Sequence, residues 1–240
     1  MFFYYIRHAQ STNNALYART GSYSERAVDP ELTPTGMKQA KILAKFLASG
    51  NSLGGYHCDG REGEGFRLTH LYSSLMVRSV ATGTEIAKAT GVPLTGWINL
   101  HETGGIFREN TETGERTGLA GYGRPYFEKN YPDFVLPDEI GEDGWWNNRP
   151  FEEHAEREAR ARKVLKELLR RHGDSDDQVA MISHGGFFNH LLKAILQISG
   201  EGPLWFTMFN AAITRIDFVE EKPNLVYSNR VDFLTPDLIT

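Results

Sequence analysis

The chain has 240 residues, with 26 basic and 31 acidic side chains and a formal charge of −5; bulk attraction to nucleic acid or an anionic bilayer is thereby disfavoured, and any anionic ligand must be held locally. The length accommodates one large α/β domain or two small ones with a full core. Cys58 is the only cysteine, which excludes an intrachain disulfide. No apolar run approaches the roughly 18 residues of a spanning helix and the first one is too short for a signal segment, so a soluble, cytoplasmic protein is expected.

In chain order, the apolar run 2–6 reads as a buried strand that ends at Arg7 and His8. Thr33 as N-cap with Pro34 at the first helical position starts a helix whose apolar positions include Ile42, Leu43, Phe46 and Leu47. The glycine-rich stretch 50–65 has no Gly-Lys-Ser/Thr ending, so it reads as a surface loop and not as a phosphate-cradling P-loop. Residues 66–73 look like a second buried strand, and 75–89 a helix with Arg78 in its first turn, stopped by Gly91 and Pro93. After a short strand at 94–100, the Gly-, Pro- and aromatic-rich segment up to Pro150 has no long periodic pattern and reads as an inserted lid at about 103–150.

Residues 151–172 form a helix with a solvated charged face. A βα unit follows, strand 178–183 and helix 187–196, with closing strands at 206–220 and 225–229, the first of them at an edge. The expected fold is a single α/β domain over 1–240, a three-layer sandwich with a mainly parallel sheet, an antiparallel edge strand and helices on both faces.

Ligands of such sheets bind beyond the carboxyl ends of the strands, where Arg7, His8, Asn14, Arg78, Glu102 and His184 all fall. Two arginines and two histidines make an oxyanion site, since guanidinium forks match phosphate bidentately. Gly185 and Gly186 leave backbone N–H groups free at a helix start. One imidazole can act as nucleophile, while a carboxylic acid protonates the leaving oxygen and then deprotonates water.

Arg7-His8-Ala9-Gln10-Ser11 with Asn14, Leu32-Thr33-Pro34-Thr35-Gly36 with Gln39-Ala40, Ser74-Leu75 and Arg78 with Thr82, Leu100-His101-Glu102 and Ser183-His184-Gly185-Gly186 follow one another along the chain. In this set and order the chain resembles the histidine phosphatase superfamily, the phosphoglycerate mutase-like group. The resemblance implies that His8 is phosphorylated, that Arg7, Arg78 and His184 bind the phosphoryl group, that Glu102 is the proton donor and that Asn14 lines the pocket. Ala9-Gln10 stands where the family usually has Gly-Glu. Gly186 replaces the Asn common in cofactor-dependent mutases, and Thr103-Gly104-Gly105 replaces their Arg-His-Tyr-Gly.

Both of these last departures favour a phosphomonoester hydrolase acting on small organic phosphates. A phosphoglycerate mutase is the alternative, and a non-catalytic phosphate-binding protein a second. No metal-ligand spacing occurs and the arginines supply the positive charge, so no metal or other cofactor is expected. The expected partner is a small phosphorylated substrate, with neither nucleic acid nor membrane; the oligomeric state is not legible. The lid residues Tyr122, Arg124, Tyr126, Trp145, Trp146 and Arg149 are candidates to close over the substrate or, for the tryptophans, to anchor the lid. No chemistry is assigned to His57, His70, His101, His154, His172 or His190.

Overall fold

The computed structural model describes residues 1–49, 66–198 and 204–240. The glycine-rich stretch 50–65, with His57 and Cys58, lies outside them. In chain order the elements are β1 (Phe2–Arg7), α1 (Thr12–Thr20), α2 (Pro34–Ala48), β2 (His70–Ser73), α3 (Val77–Thr90), β3 (Leu94–Gly96), β4 (Phe107–Glu109), β5 (Arg116–Gly118), α4 (Arg124–Asn130), α5 (His154–His172), β6 (Gln178–Ser183), α6 (Gly185–Ile195), β7 (Ile213–Val219) and β8 (Lys222–Arg230).

Six strands form one sheet in the order β3-β2-β6-β1-β7-β8, and β4 and β5 form a separate hairpin. The strands from β3 to β1 run parallel, whereas β7 is antiparallel to β1 and β8 to β7. β7 is therefore interior and β8 takes the edge, a correction to the expectation that the first closing strand is the edge. The pairing explains it: β7 carries the apolar residues Ile213, Ile216 and Phe218, which need cover, while β8 is largely exposed.

Side chains of a strand point alternately to its two faces. Tyr4 and Ile6 of β1 join Ala180 and Ile182 of β6 in a core with Leu43 and Leu47 of α2 and Val80 and Ile86 of α3. Phe3 and Tyr5 join Val179 and Met181 in a second core with Val164 and Leu168 of α5 and Leu191 and Leu192 of α6. Burial on both faces is why these strands read as continuous apolar runs and not as alternating ones.

The start of α2 matches its sequence signal: Thr33 Oγ1 accepts from the Gly36 N–H at 2.9 Å, and Pro34 opens the helix. Gly36 is required there, because a Cβ would lie 2.0 Å from the Gln10 carbonyl oxygen. Strand β2 begins at His70, later than expected, and the strand expected at 94–100 stops at Gly96 before a short 3-10 turn. Among the described residues no helix is long and apolar enough to cross a membrane.

Candidate active site

β1 and β6 lie side by side with Arg7 opposite Ser183, so the residues that follow, His8 and His184, emerge at the same rim of the sheet. Their rings are 5.1 Å apart between centroids. A separation of 176 positions in the chain is closed by this one parallel register.

His8 is buried, and its Nδ1 lies 2.7 Å from its neighbour's carbonyl, Ala9 O, to which it donates. That assignment leaves the Nε2 lone pair free to accept from Arg78 Nε at 3.1 Å. Burial first, then the Arg78 and Arg7 guanidiniums, hold the imidazole well below its ordinary value, so it is neutral near pH 7.

Arg78 sits in the first turn of α3 and faces Asp29, with Nη1 3.6 Å from Oδ1. The same carboxylate oxygen accepts from the Val77 N–H at 3.1 Å. Burial pushes Asp29 up to about 6 against the pull of Arg78. Thr82, one turn along α3, donates to the Arg78 carbonyl at 2.7 Å and accepts from the Ala9 N–H at 3.1 Å, tying the helix to the residue after His8.

His184 caps α6. Its Nε2 lies 2.9 Å from Ser74 Oγ and 3.3 Å from Ser79 Oγ, while its buried Nδ1 has no hydrogen-bond partner among the described residues. With the ring proton on Nδ1, the single Nε2 lone pair accepts from the nearer hydroxyl, that of Ser74. Arg7 donates from Nη1 to the Met208 carbonyl, and its Nε is buried without a partner.

Glu102 is held over the start of α6. Oε1 accepts from the Thr103 and Phe187 N–H groups at 2.8 and 2.9 Å, and Oε2 from Gly186 at 3.1 Å. The Gly186 amide is therefore taken, contrary to the expectation that it stays free for phosphate: the carboxylate fills the positive end of the helix itself. A Cβ on Gly186 would lie 2.5 Å from Glu102 Oε1 and 2.9 Å from Thr103 Oγ1, so any side chain at 186 must push the Glu102 carboxylate from this position. Gly186→Asn is expected to dislodge the carboxylate and lower kcat by about 10²-fold, within the usual range for a misplaced acid-base group, in steady-state phosphate release.

Asn14 Oδ1 accepts from Ser11 N, Ser11 Oγ and Asn210 Nδ2 at 3.0, 2.8 and 3.2 Å, which leaves its Nδ2 as the donor for the pocket. Asn210 Nδ2 also donates to the His8 carbonyl at 3.1 Å. The next residue, Ala211, has a left-handed backbone (φ 61°) and gives its N–H to the same carbonyl.

Arg7, His8, Asn14, Arg78, Glu102 and Gly185 all line one cleft of about 1090 Å³. His184 lies buried behind them. Sequence reasoning missed Asp29, Ser79 and Asn210, polar residues in no motif that act only through neighbours brought in from elsewhere in the chain.

The segment 103–150 meets the cleft through its β4–β5 hairpin, by Phe107, Arg108 and Arg116. The residues expected to close over the substrate face elsewhere. Trp145 and Trp146 are buried in the core, Arg124 donates to the Ile140 and Pro137 carbonyls, and Tyr122 stacks on Tyr126 with centroids 3.7 Å apart. Arg149 sits 5.3 Å from the Trp146 ring centroid. The tryptophans anchor, because rings this large are held where the most apolar area is covered. His101 packs against Trp146 with centroids 4.5 Å apart.

His8, His101 and His184 are all held well below 6.5, burial being the first cause in each. In the unfolded chain they take up protons below about 6.5, while in the native protein they do not, so their stabilisation is complete above that pH and lost as pH falls. Each contributes a slope of at most about 1.4 kcal/mol per pH unit. Asp29 opposes them below about pH 6, since its folded form binds a proton more readily than the unfolded one. Urea unfolding is expected to show stability nearly level above about pH 7 and falling as pH drops from about 6.5 to 5.5; a flat profile over the lower range would contradict neutral buried imidazoles.

Residues 3–231 match the histidine phosphatase superfamily (branch 1). A Hydrogenobacter thermophilus protein whose provisional name is phosphoserine phosphatase 2 is 28% identical over 236 residues, 95% of each chain. The phosphoserine phosphatase of Entamoeba histolytica, solved with 3-phosphoglyceric acid, superposes with a TM-score of 0.59 at 17% identity, covering 98% of this chain and 99% of that one. A mycobacterial glucosyl-3-phosphoglycerate phosphatase gives a TM-score of 0.57 at 20% identity over 96% and 99%. At these identities the two solved structures show likeness of fold. The chain belongs to the histidine phosphatase superfamily, branch 1, and is a histidine-type phosphatase.

Proposed function

We propose that the hydrolysis of small organic phosphates by this protein runs through a phosphohistidine at His8. The observation that carries this reading is the neutral imidazole whose Nδ1 donates to Ala9 O and whose Nε2 lone pair faces the cleft's arginine. A substrate phosphoryl group among Arg7, Arg78, Asn14 Nδ2 and the His184 Nδ1–H draws the Arg78 N–H from the imidazole to a phosphoryl oxygen, which frees the lone pair. His8 Nε2 then attacks phosphorus opposite the ester oxygen; the N–P bond forms as the ester P–O bond breaks, and Glu102 relays the proton of the monoanionic phosphoester to the leaving oxygen. In the second half a water gives its proton to the Glu102 carboxylate and attacks phosphorus. The N–P bond breaks, inorganic phosphate leaves with the proton from Glu102, and His8 and the Glu102 carboxylate regain their starting states.

Rapid quench with a ³²P-labelled phosphoester tests this. An acid-labile, alkali-stable label on His8, formed and lost within one turnover, is expected; full turnover with no protein-bound label at any time would overturn it.

The outer cleft is lined by Arg26, Arg108, Arg116 and Arg157, more positive charge than one phosphate needs. The substrates named for the two solved relatives, phosphoserine and glucosyl-3-phosphoglycerate, carry a carboxylate near the ester, and a carboxylated phosphoester suits this rim. Of the four arginines, Arg26 is held 4.0 Å over the Phe107 ring. Arg26→Ala is expected to raise KM for phosphoserine or 3-phosphoglycerate about tenfold, the worth of one charge-assisted hydrogen bond, and to leave KM for p-nitrophenyl phosphate unchanged.

A further inference from the structure

At the opposite end of the sheet from the cleft, three potential ligands come together that no motif announces. His172 is the last residue of α5, Asp177 directly precedes β6, and His70 begins β2. His172 Nδ1 lies 2.8 Å from Asp177 Oδ2 and His70 Nδ1 lies 3.6 Å from Asp177 Oδ1. The two imidazole centroids are 4.4 Å apart, and one donor atom from each of the three residues lies within 4.8 Å of the others.

We propose that His70, His172 and Asp177 form a binding site for a borderline divalent metal ion of the zinc class, separate from the catalytic cleft. Zinc holds imidazole nitrogen and carboxylate oxygen at about 2.0–2.2 Å, which puts neighbouring ligand atoms of a tetrahedron about 3.4 Å apart. His172 Nδ1 is 2.8 Å from Oδ2 and His70 Nδ1 3.6 Å from Oδ1 of the same carboxylate, so side-chain rotations that present one oxygen to both nitrogens complete the three-ligand face. Two imidazoles and one carboxylate suit zinc, nickel or cobalt in preference to magnesium or calcium, which take oxygen ligands. Water fills the fourth position on the side where His70 is partly exposed.

The surroundings are arranged as an outer shell. Tyr72 Oη lies 3.1 Å from His172 Nε2. With the ion on Nδ1 the neutral ring is the Nε2–H tautomer, its single proton having moved from Nδ1 to Nε2 through solvent, and Nε2–H donates to the tyrosine oxygen, the contact that orients a metal-bound histidine. Thr69 Oγ1 lies 3.2 Å from Asp177 Oδ1 and holds that carboxylate, while its 2.9 Å contact with His70 Nδ1 gives way when the ion takes that lone pair. Arg171, next to His172 in the chain, is paired with Glu167 at 2.7 Å, which offsets its repulsion of a cation. Asp174 and Asp176 add negative charge in the same turn.

His70 and Ser74, which contacts His184, are separated by the length of β2, about 13 Å at the usual strand rise. The ion therefore pins the end of α5 to the starts of β2 and β6 and takes no part in phosphoryl transfer.

The test is calorimetric titration of the whole protein with Zn²⁺ near neutral pH, repeated with Co²⁺ as a spectroscopic probe. Wild type and His8→Ala are both expected to bind one equivalent, with the visible absorption of four-coordinate cobalt and a raised unfolding temperature. His70→Ala, which alters a partly exposed side chain, is expected to bind at least 100-fold more weakly and to keep normal phosphatase turnover. Absence of binding at millimolar Zn²⁺, binding unchanged in His70→Ala, or binding lost in His8→Ala would each overturn the proposal.

Discussion

His8→Ala is expected to lower kcat by on the order of 10⁴-fold or more, since it removes the atom that accepts the phosphoryl group and leaves the reaction to direct attack by water. Ground-state phosphate should still bind within a few-fold of wild type, because Arg7, Arg78, Asn14 and His184 all remain. The variant should also fold: the cavity left by one imidazole opens onto the cleft, and the two apolar cores on either side of the sheet do not include His8. Phosphate release, phosphate affinity by calorimetry and the unfolding temperature separate these effects. Turnover within tenfold of wild type in the folded variant would mean that His8 is not the nucleophile.

Arg78→Ala should cost on the order of 10³-fold in kcat/KM, the size expected for losing one preorganised charge at developing negative charge. A second effect has a definite sign. Arg78 is the largest charge term holding His8 down after burial itself, so its removal lets the imidazole protonate at higher pH. The acid limb of the pH–rate profile should accordingly move upward, and the loss at pH 6 should exceed the loss at pH 8. Asp29, deprived of the guanidinium 3.6 Å away, would be a buried carboxylate without its counterion and should take up a proton. Adding Asp29→Asn should recover folding stability without recovering rate. Arg78→Lys should recover only part of the rate, since an ammonium supplies charge without the two-pronged fork. An unshifted acid limb in Arg78→Ala would show that the guanidinium does not set the state of His8.

Local pattern determined much of this protein. The apolar run before Arg7 and the second one before His184 are strands because their residues are buried on both faces, and a strand buried this way announces itself without tertiary knowledge. Thr33 and Pro34 start α2 by satisfying or lacking the orphan N–H groups of its first turn, a requirement that is purely local. Arg7, His8, Asn14, Arg78, Glu102 and Gly185 could be named in advance because each stands at or near a strand end, and strand ends are where this class of sheet collects ligands.

Other features have no local cause. That β8 and not β7 is the edge depends on which strand β1 chooses as its antiparallel neighbour. Trp145 and Trp146 look alike in sequence whether they cap a substrate or fill a core, and only the space beside Gly105 and His101 decided for the core. The seat of Glu102 on the Gly186 and Phe187 amides, the Asp29 carboxylate behind Arg78, and the meeting of His70, His172 and Asp177 each join residues from different elements. Strand and helix positions, and the residue types able to handle phosphate, follow from propensity, capping and burial, which act over a few neighbouring residues. Which of those residues share a hydrogen bond or a charge follows from strand register and side-chain packing, which are settled by contacts between distant parts of the chain.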